Sequence, residues 1–508
     1  MEIWLILLLL LATLCLCATL KALLDFFSHN TNPRCPPGPW TVPIIGNFLW
    51  LRESLLDLEP ILSKLHTKYG PIITVPIGSQ PNIFINSPSI AHQALIQNGA
   101  IFADRPQTLN QSATSKLQRA ISSSPYGPYW RLLRRNLTSE ILHPSRLKSY
   151  RNTRKWALHT LISKLKDQSE SGKSICVTTH LRLSIFSLVF SMCFGQNFDE
   201  EIIKKAEASQ RTFSANFTRF RILTYIPNLG KIIFKNLQKE LLDLSHHRAN
   251  VLTSLIRTQQ IERKEENHHD TDDQLVVSYI DTLFKIWLPD EGRKLNEFEL
   301  RTLCSEFLNA GTDATSTAME WIMANLVKYQ DIQAKLYSEI KKVLGEEDEE
   351  ITEEDLQKMP YLKAVILEGL RRHPPFHFGM SHSVTEEFHL NSLVIPKNAV
   401  VYFNIAEMGW DPNVWENPME FCPDRFLSGE GFDITGGKEI KMLPFGVGRR
   451  ICPGYNLALL LIEYFVVNLI KDFKWMAVEG EDVDLSPMQN FEVVMKTPLK
   501  AHISPRVK

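Results

Sequence analysis

Hydrophobic residues dominate the start of the chain. From Ile3 to Leu20, eighteen consecutive residues carry no charge. With the Lys21 side chain snorkelling toward the headgroups, the apolar segment extends to Leu24, which is long enough to span a bilayer. Beyond the first fifty residues, apolar positions mostly recur every three or four residues, the spacing of amphipathic helices, and β-type runs are few. The pattern predicts a transmembrane helix over residues 1–24, followed by an α-rich body.

A cleaved signal peptide is the alternative interpretation of the first segment. Glu2 stands where a signal peptide carries basic residues, and no A-x-A cleavage site follows the apolar run. We therefore predict a retained, single-pass anchor. Lys21 and Arg34 follow this anchor and no lysine or arginine precedes it. The positive-inside rule then predicts that the rest of the chain faces the cytoplasm.

A cluster of prolines follows the predicted anchor. Pro36, Pro37 and Pro39 surround Gly38. Because proline fixes φ, such a segment is stiff and extended. We predict a hinge over residues 25–45 that holds the body at a set angle to the membrane. An ordinary linker fits the same composition.

The remaining residues, 46–508, form one predicted domain. Length alone favours about three domains, but neither an internal repeat nor a composition shift divides the chain. Two strongly charged stretches, Glu262 to Gln274 and Glu346 to Asp355, are interpreted as solvated surface loops. The predicted fold class is mainly α, with small β-sheets in a single domain.

Charge and cysteine usage narrow the possible functions. Lysine and arginine total 56 against 57 aspartates and glutamates, a net charge of -1. This balance lacks the basic surplus that nucleic-acid phosphates attract, so nucleic acid is not an expected partner. Eight cysteines without a C-x-x-C pair are too sparse for a disulfide framework or a zinc site.

One isolated cysteine near the C-terminus has unusual neighbours. Cys452 lies between Gly448 and Gly454, beside Arg450, and just before an apolar helix that begins near Tyr455. An isolated cysteine is usually a buried structural thiol. Here, however, the glycines let the backbone approach a flat ligand, while the arginine and the helix dipole favour a thiolate and bind carboxylates. A planar cofactor that bears carboxylates, such as haem, fits this arrangement.

The loop around this cysteine also carries a family resemblance. The sequence FGVGRRICPG matches every fixed position of F-x-x-G-x-R-x-C-x-G, the haem-binding loop of cytochrome P-450 enzymes, through Phe445, Gly448, Arg450, Cys452 and Gly454. The chain resembles plant microsomal, A-type members end to end, and FLNAGTDATSTAMEWIMANLVKY resembles family eighty-nine, subfamily A. The resemblance implies the P-450 fold, haem b as the cofactor, and a cysteine thiolate as the axial ligand of its iron.

A second motif lies on a predicted helix. In YLKAVILEGLRRHPP, Glu368 and Arg371 are three residues apart and share one helix face. A surface pair is the ordinary explanation, but the flanking apolar residues favour burial, which calls for further partners. The resemblance implies that Arg425 completes a structural triad with this pair. Asp424 replaces the glutamate that family members usually carry beside this arginine.

Haem propionates require donors. Trp130 and Arg134 are one turn apart on a predicted helix, which suits an indole N–H and a guanidinium binding one carboxylate. A packed tryptophan beside a solvated arginine is the alternative. The resemblance implies that both side chains bind a propionate, and that His382 occupies a third donor position.

A long helix near the middle of the chain is expected over the distal face of the haem. Phe307, Gly311, Ala314 and Ala318 repeat at intervals of four, three and four, and form a stripe on which a flat ring can approach. Simple helix packing is the alternative. Polar GTDATS in the centre of this apolar helix is costly unless water or ligand lies nearby.

The resemblance makes this polar segment the site of oxygen activation. It implies that Asp313 helps to relay protons, and that a threonine normally follows this acid. This chain has Ala314 at that position, and Thr315 follows it. We therefore expect an altered route of proton delivery that involves these three residues.

The predicted substrate pocket is mainly aromatic. The resemblance assigns to it Phe307, Gly311, Phe376, Phe378 and Phe491, which indicate a lipophilic or amphipathic small molecule. A secondary metabolite, a lipid or a pigment-derived compound fits this composition.

Three functions follow from these observations. The leading one is monooxygenation, in which one atom of O2 enters the substrate and the other leaves as water. No nucleotide or flavin motif is present, so NADPH-derived electrons are expected from a separate NADPH-cytochrome P-450 reductase, bound at a basic surface that includes Arg449. The resemblance implies a monomer in the membrane of the endoplasmic reticulum.

The second function is a haem-thiolate isomerase or dehydratase that acts on peroxides without O2 or NADPH. Such enzymes also lack the distal threonine, but Gly311, Asp313 and the uninterrupted cysteine loop favour monooxygenation. The third is a membrane-tethered haem binder or scaffold without catalysis.

Overall fold

The described part of the chain covers most of the predicted body. The computed structural model describes residues 12–14, 16–17, 19–20, 35–39, 55–77, 80–106, 119–170, 172–195, 198–225, 233–266, 276–345, 350–390, 392–427 and 431–506. Most of the predicted anchor and hinge lies outside these ranges. Within them, one helix, Val177–Phe194, is long and apolar enough to cross a membrane, but most of it is buried in the body. It is therefore a core helix.

The fold is mainly α, as the apolar periodicity predicts. The helices are α1 (Leu55–Tyr69), α2 (Pro88–His92), α3 (Pro128–Asn136), α4 (Pro144–Ser149), α5 (Arg151–Ser169), α6 (Val177–Phe194), α7 (Glu200–Tyr225), α8 (Lys235–Glu266), α9 (Tyr279–Phe284), α10 (Glu297–Lys328), α11 (Gln330–Leu344), α12 (Glu353–Leu356), α13 (Pro360–Arg372), α14 (Ile405–Gly409) and α15 (Tyr455–Asp472). One π-helical turn extends α2 over Gln93–Gln97 and another extends α3 over Leu137–Ile141.

The strands are short and form small sheets. They are β1 (Ile72–Ile77), β2 (Gln80–Ile85), β3 (Ile175–Cys176), β4 (Trp287–Leu288), β5 (Arg293–Lys294), β6 (His382–Ser383), β7 (Phe388–Leu390), β8 (Leu393–Ile395), β9 (Val400–Phe403), β10 (Phe473–Ala477), β11 (Pro487–Gln489), β12 (Val493–Met495) and β13 (Lys500–Pro505). One sheet has the order β1-β2-β9-β6, another has the order β10-β13-β3, and the remaining strands pair as two-stranded ladders.

Strand register links distant parts of the chain. In the antiparallel pair of β1 and β2, Ile73 lies opposite Phe84, and in the parallel pair of β2 and β9, Phe84 lies opposite Tyr402. Trp475 of β10 lies opposite Ile503 of β13. The sheets therefore tie the C-terminal half of the chain to residues near its beginning.

Helix α10 is the centre of the body. Asn296 and Glu299 form a capping box at its first turn, which satisfies N–H groups that the helix leaves free. Most of its length is buried on all sides, as expected of a core helix. A Cβ added to Gly369 of α13 would lie 2.3 Å from Ile322 Cγ1 of α10. This glycine therefore permits the close approach of the two helices.

The described part of the predicted hinge packs on the first sheet. The Thr74 amide of β1 donates to the Pro37 carbonyl at 2.8 Å. A Cβ added to Gly38 would lie 1.8 Å from the Thr74 carbonyl oxygen, so only glycine fits there. Residues 35–39 are thus fixed to the body.

Candidate active site

The cysteine loop lies between a 3₁₀ turn, Gly448–Arg450, and α15. The Cys452 amide donates to the Phe445 carbonyl at 2.8 Å, which closes the loop. Gly448 has φ +71°, and an added Cβ would lie 2.1 Å from the Leu95 carbonyl oxygen, so the turn requires glycine. A Cβ at Gly454 would meet no described atom within 4 Å, so this side of the loop is open within the described part of the chain.

The electrostatics of the thiol combine opposing effects. Burial raises the pKa of Cys452, while the Gly454 amide that bonds to its sulfur and the charge of Arg134 act in the other direction. The Arg134 Nη2 donates to the Ile451 carbonyl at 2.6 Å, which fixes the guanidinium beside the loop. A metal ion bonded to Sγ would add the positive charge that a buried thiolate needs.

Several donors converge around this loop. The Trp130 indole N–H is buried and has no hydrogen-bond partner among the described residues. The Arg450 guanidinium lies 4.4 Å from the Trp130 ring centroid. It donates to the carbonyls of Ala103, Ile121 and Ser124 at 2.7, 3.2 and 2.7 Å. The donor set therefore surrounds an indole N–H that still needs an acceptor.

Arg105 joins this group, although sequence analysis missed it. Its guanidinium is buried and donates to the carbonyls of Ser122, Met380 and Ser381 at 2.8, 3.0 and 2.7 Å. Burial and the positive charge of Arg450 lower its pKa to about 9, while the charges of Asp104 and Glu306 act in the opposite direction. Only the arginine before proline in FADRP marks it in the sequence.

His382 lies in the same cationic environment. Its Nδ1 is 2.6 Å from the Phe102 carbonyl, so this nitrogen carries the proton. Burial lowers the pKa of His382 to about 3, with the charges of Arg105 and Arg450 contributing. The imidazole is therefore neutral and donates to the backbone in this arrangement.

The donor set fits a ligand with carboxylates. Among the described residues, no carboxylate forms an ion pair with Arg105, Arg134 or Arg450, and the Trp130 indole N–H is unpaired. Asp104 acts on Arg105 and Arg450, and Glu306 acts on Arg105, from beyond ion-pair distance. Desolvated cations of one sign repel each other and are stabilised by anions. Two propionates would supply these anions, and the cysteine sulfur would supply the axial ligand, so the residues present fit haem.

The predicted triad forms a closed network. Arg371 Nε and Nη2 donate to the two carboxylate oxygens of Glu368 at 2.7 and 2.8 Å. Arg425 Nε and the Cys422 amide donate to the same carboxylate at 3.2 and 2.7 Å. Arg371 also donates to the carbonyls of Gly409, Pro418 and Glu420. Each charged group in the network therefore has several partners.

The residues predicted on α10 do not share one environment. The Phe307 ring packs on Tyr279 at a centroid distance of 4.9 Å. A Cβ added to Gly311 would lie 3.0 Å from Val189 Cγ1, so Gly311 sets the distance between α6 and α10. Gly311 and Ala314 are half-buried, whereas Phe307 and Ala318 belong to the core. Gly311 and Ala314 are thus the more open positions of the predicted stripe.

Asp313 is engaged in an ion pair. Its carboxylate contacts Arg182 of α6, and the Ser214 hydroxyl of α7 bonds to it. Arg182 Nε also donates to Glu207 of α7 at 2.8 Å. Burial raises the pKa of Asp313, while Arg182 acts in the opposite direction. Sequence analysis missed Arg182 and Glu207, because no local pattern links them to Asp313.

The aromatic residues assigned to the pocket separate into two groups. Phe376 and Phe491 meet edge to face at a centroid distance of 5.8 Å. The Val493 amide donates to the Pro375 carbonyl at 2.7 Å, which holds the two segments together. Phe378 is buried in a cluster under the first sheet. Thr315 is buried within α10.

Comparisons with known proteins agree with this geometry. Cytochrome P450 89A9 of Arabidopsis thaliana is 45% identical over 100% of both chains. Flavonoid 3'-monooxygenase of Arabidopsis thaliana is 28% identical, over 97% of each chain. A solved zebrafish cytochrome P450 with progesterone has a TM-score of 0.73 and 20% identity, and covers 88% of this chain and 99% of its own, which shows the shared fold.

The family assignment rests on a match that spans nearly the whole body. The model of the family described as Cytochrome P450 matches residues 36–504. This range includes the cysteine loop, its donors and the triad. The chain belongs to the cytochrome P450 family of oxidoreductases, and haem b is its cofactor.

Proposed function

We propose that the protein is a haem-thiolate monooxygenase that oxidises a lipophilic or amphipathic small molecule. The observation that carries this proposal is the combination of the Cys452 loop with the buried Trp130 indole N–H, which has no acceptor among the described residues. The bound haem supplies the iron at which O2 is activated and one oxygen atom is transferred. Electrons come from NADPH through a separate reductase, and the family match supports this class of chemistry.

The chain's own residues bind and orient the cofactor. Cys452 is the iron ligand, and Phe445, Gly448 and Gly454 shape the loop that carries it. Trp130, Arg105, Arg134, Arg450 and His382 surround the position of the propionates, where the indole N–H and the guanidiniums donate hydrogen bonds. Glu368, Arg371 and Arg425 hold the adjoining core. These roles are supported by the contacts described above.

The substrate is bound by an aromatic surface. Phe376 and Phe491 meet at 5.8 Å, and we assign the half-buried Ala314 of α10 to the same pocket. An apolar surface with few charged groups suits a lipophilic secondary metabolite, a lipid or a pigment-derived compound. The similarity to flavonoid 3'-monooxygenase supports an aromatic plant metabolite as one class to test.

The protein is proposed to be a monomer anchored in the endoplasmic reticulum membrane. Residues 1–24 form the anchor, residues 25–45 the hinge, and residues 46–508 the catalytic domain on the cytoplasmic side. Leu14, Leu16 and Leu20, which are 63%, 61% and 52% exposed, present apolar surface outside the body. Lipid would cover such surface.

Two experiments test this topology. Deleting residues 1–24 should release the body from microsomes. Protease added to intact microsomes should digest the body, and protection from the protease would place it in the lumen.

The reductase is proposed to dock on exposed arginines beside the cysteine loop. Arg449 is exposed, and its guanidinium lies 5.6 Å from the Tyr126 ring centroid. Arg131 is also exposed and lies 4.9 Å from the same ring. An acidic partner surface would be attracted to this patch, and its association would weaken with salt.

Purified holoenzyme, reductase and NADPH test the function. A monooxygenase should consume NADPH and O2 in a substrate-dependent reaction, and its reduced carbon-monoxide complex should have a strongly red-shifted Soret band. The Cys452→Ser variant should lose this band, while Cys176→Ser, at an exposed position on β3, should keep it. Turnover of peroxides without NADPH would indicate an isomerase or dehydratase, and haem binding without either activity would indicate a binder.

A further inference from the structure

A buried cluster of acids lies between α6, α7, α10 and the C-terminal hairpin. Arg182 contacts Asp313 and Glu207, and the three side chains are 13%, 5% and 12% exposed. Glu492, on the turn between β11 and β12, is 7% exposed. The charges that act on its carboxyl are those of Asp313 from α10 and Arg182 from α6. Four ionisable groups therefore share one buried region.

The charges of these groups do not balance. Three carboxyls share one guanidinium, which would leave two unmatched negative charges if all were ionised. A buried charge without a partner is costly, so the cluster is more stable when it retains a proton. Arg182 bonds directly to Asp313 and Glu207, whereas no described cation forms an ion pair with Glu492. Glu492 is therefore the carboxyl that holds this proton.

The backbone fixes the turn that carries Glu492 between the segment of Pro375 and Phe376 and helix α10. The Asn490 amide donates to the Glu492 carbonyl at 2.8 Å, and the Val493 amide donates to the Pro375 carbonyl at 2.7 Å. The Trp321 indole N–H of α10 donates to the Val493 carbonyl at 3.0 Å. The preceding residue, Phe491, contacts Phe376. Glu492 thus links the aromatic surface to the helix that carries Asp313.

We propose that Glu492 is a positioning residue that stores a proton for Asp313, and so supports proton delivery at the side of the pocket where Ala314 lacks a hydroxyl. This proposal rests on the proposed monooxygenase function. In the transfer, the O–H bond of Glu492 breaks and an O–H bond forms on Asp313. Glu492 is left as a carboxylate and regains a proton from solvent, which reaches the cluster near the partly exposed Glu207.

The titration behaviour of the cluster agrees with this geometry. Burial and the negative charge of Asp313 raise the pKa of Glu492 to about 8, although Arg182 acts in the opposite direction. Burial also raises the pKa of Asp313. Glu492 is therefore mainly neutral at pH 7 and loses its proton as the pH rises through about 8. A carboxyl with this behaviour can donate at neutral pH.

Infrared spectroscopy of the ferric holoenzyme tests whether the proton is present. The wild-type protein should show a carboxylic-acid C=O band that titrates near pH 8, and Glu492→Gln should remove it. Asp313→Asn should move this titration to lower pH, because it removes a negative charge beside Glu492. The matched control is Glu463→Gln: burial raises the pKa of Glu463 on α15 to about 7, so this variant should remove a different component.

Peroxide release tests whether the proton is used. With reductase and NADPH, and without added substrate, Glu492→Gln at full haem content should release several-fold more peroxide per NADPH. Glu492→Asp should restore part of the coupling, and Glu463→Gln should behave like the wild type. If Glu492 had only a structural role, Glu492→Gln would change the haem content and leave the peroxide released per NADPH unchanged.

Two results would overturn the proposal. One is a wild-type spectrum without the acid band near pH 8. The other is a Glu492→Gln variant that loses the band but releases no more peroxide than the wild type. Failure of the proposed function is distinguishable, because a protein that consumes no NADPH with reductase would still give an informative infrared titration.

Discussion

Two buried ionic clusters of this protein differ in how their charges are matched. Around Glu368, one carboxylate faces two guanidiniums, and Arg371 gives its remaining donors to backbone carbonyls. Around Arg182, one guanidinium faces several carboxyls. Both clusters connect helices of the same core. They differ in the sign of the excess charge and in the number of backbone partners.

The difference separates a structural role from a chemical one. A network in which each donor has an acceptor is rigid and costly to open, because any loss leaves a buried group without a partner. A network with surplus carboxyls retains protons with raised pKa values, and such groups suit acid–base chemistry. The first cluster therefore fixes the core that carries the cysteine loop, while the second is suited to hold and release protons.

The largest expected effect is in the cluster around Glu368. Arg371→Ala should leave the Glu368 carboxylate with only Arg425 and the Cys422 amide as partners, in a site where both side chains of the ion pair are 0% exposed. Breaking such a pair costs about 3–5 kcal/mol. We expect haem incorporation to collapse, as measured by the ratio of Soret to protein absorbance and by the free energy of urea unfolding.

An exposed pair beside the same cluster provides the control. Lys335 and Asp424 form an ion pair with side chains that are 50% and 55% exposed. Lys335→Ala should cost less than about 1 kcal/mol and leave haem content unchanged. A normal yield of holoenzyme from Arg371→Ala would contradict the structural role of the cluster around Glu368.

The two clusters were not equally predictable from the sequence. Glu368 and Arg371 share a helix, so their spacing of three residues predicts a contact, and the flanking apolar residues predict burial. The partners of Asp313 come from three other elements, and no local pattern can pair residues so distant in the chain. A glutamate within the apolar run NFEVVM was the only signal for Glu492.

The periodicity of apolar residues predicted the fold class better than it predicted the short strands and the distant contacts. The 3.6-residue pattern gives long helices such as α10 correctly, because burial of one face sets that spacing. Strands of two or three residues, such as β3 and β6, depend on tertiary pairing and leave almost no sequence pattern. Arg105 was missed for a related reason, since its neighbours lie in segments far along the chain. The membrane anchor and the hinge stay predictions.

The second expected effect is a change in the pH dependence of stability. The pKa of Glu492 is raised in the folded state from 4.5 to about 8, so its contribution to stability is greatest below about pH 4.5 and is lost as the pH rises through 8. Each pKa unit is worth about 1.4 kcal/mol. Glu492→Gln should remove this dependence, as measured by urea unfolding of the holoenzyme across that interval.

The contribution of Glu463 to the pH dependence of stability must be separated from that of Glu492. The pKa of Glu463 is raised to about 7, so its pH-dependent loss is complete at a lower pH. Stability should therefore fall with pH more steeply in the wild type than in Glu492→Gln across the whole interval from about pH 4.5 to pH 8. Between pH 7 and pH 8 Glu463 adds little to this fall, so Glu463→Gln should retain most of the wild-type slope there. Parallel stability curves for wild type and Glu492→Gln would show that Glu492, in the cluster around Arg182, holds no proton.

A third effect concerns the packing that brings Arg182 to Asp313. A Cβ at Gly311 would lie 3.0 and 3.1 Å from the two Cγ atoms of Val189. Gly311→Ala should therefore separate α6 from α10 and destabilise the fold by about 1–3 kcal/mol. Val189→Ala should relieve this in the double variant, as measured by urea unfolding.

The control for this effect is Gly431→Ala, because a Cβ at Gly431 meets no described atom within 4 Å. It should leave stability nearly unchanged. If Gly311→Ala were equally neutral, the spacing between the two helices would not depend on this glycine, and the ion pair of Arg182 with Asp313 would have another support.

The smallest expected effect is at Ala314. A hydroxyl at this position can orient water and donate a proton to the reacting oxygen, whereas a methyl group can do neither. Thr315 cannot replace it, because one residue rotates the side chain by about 100° around the helix, and Thr315 is buried. With a surrogate substrate that lacks hydroxyls, Ala314→Thr should raise the product formed per NADPH and lower peroxide release, with no change in haem content.

The response of the true substrate should differ if it carries its own hydroxyl. A substrate hydroxyl near Ala314 would already order the water, and the added threonine would crowd a position that we assign to the pocket. The same variant should then give little gain or a loss of product per NADPH. If wild-type enzyme were tightly coupled on surrogates without hydroxyls, and Ala314→Thr changed nothing, the acids around Arg182 would suffice for proton delivery, and neither the missing threonine nor the substrate would contribute to it.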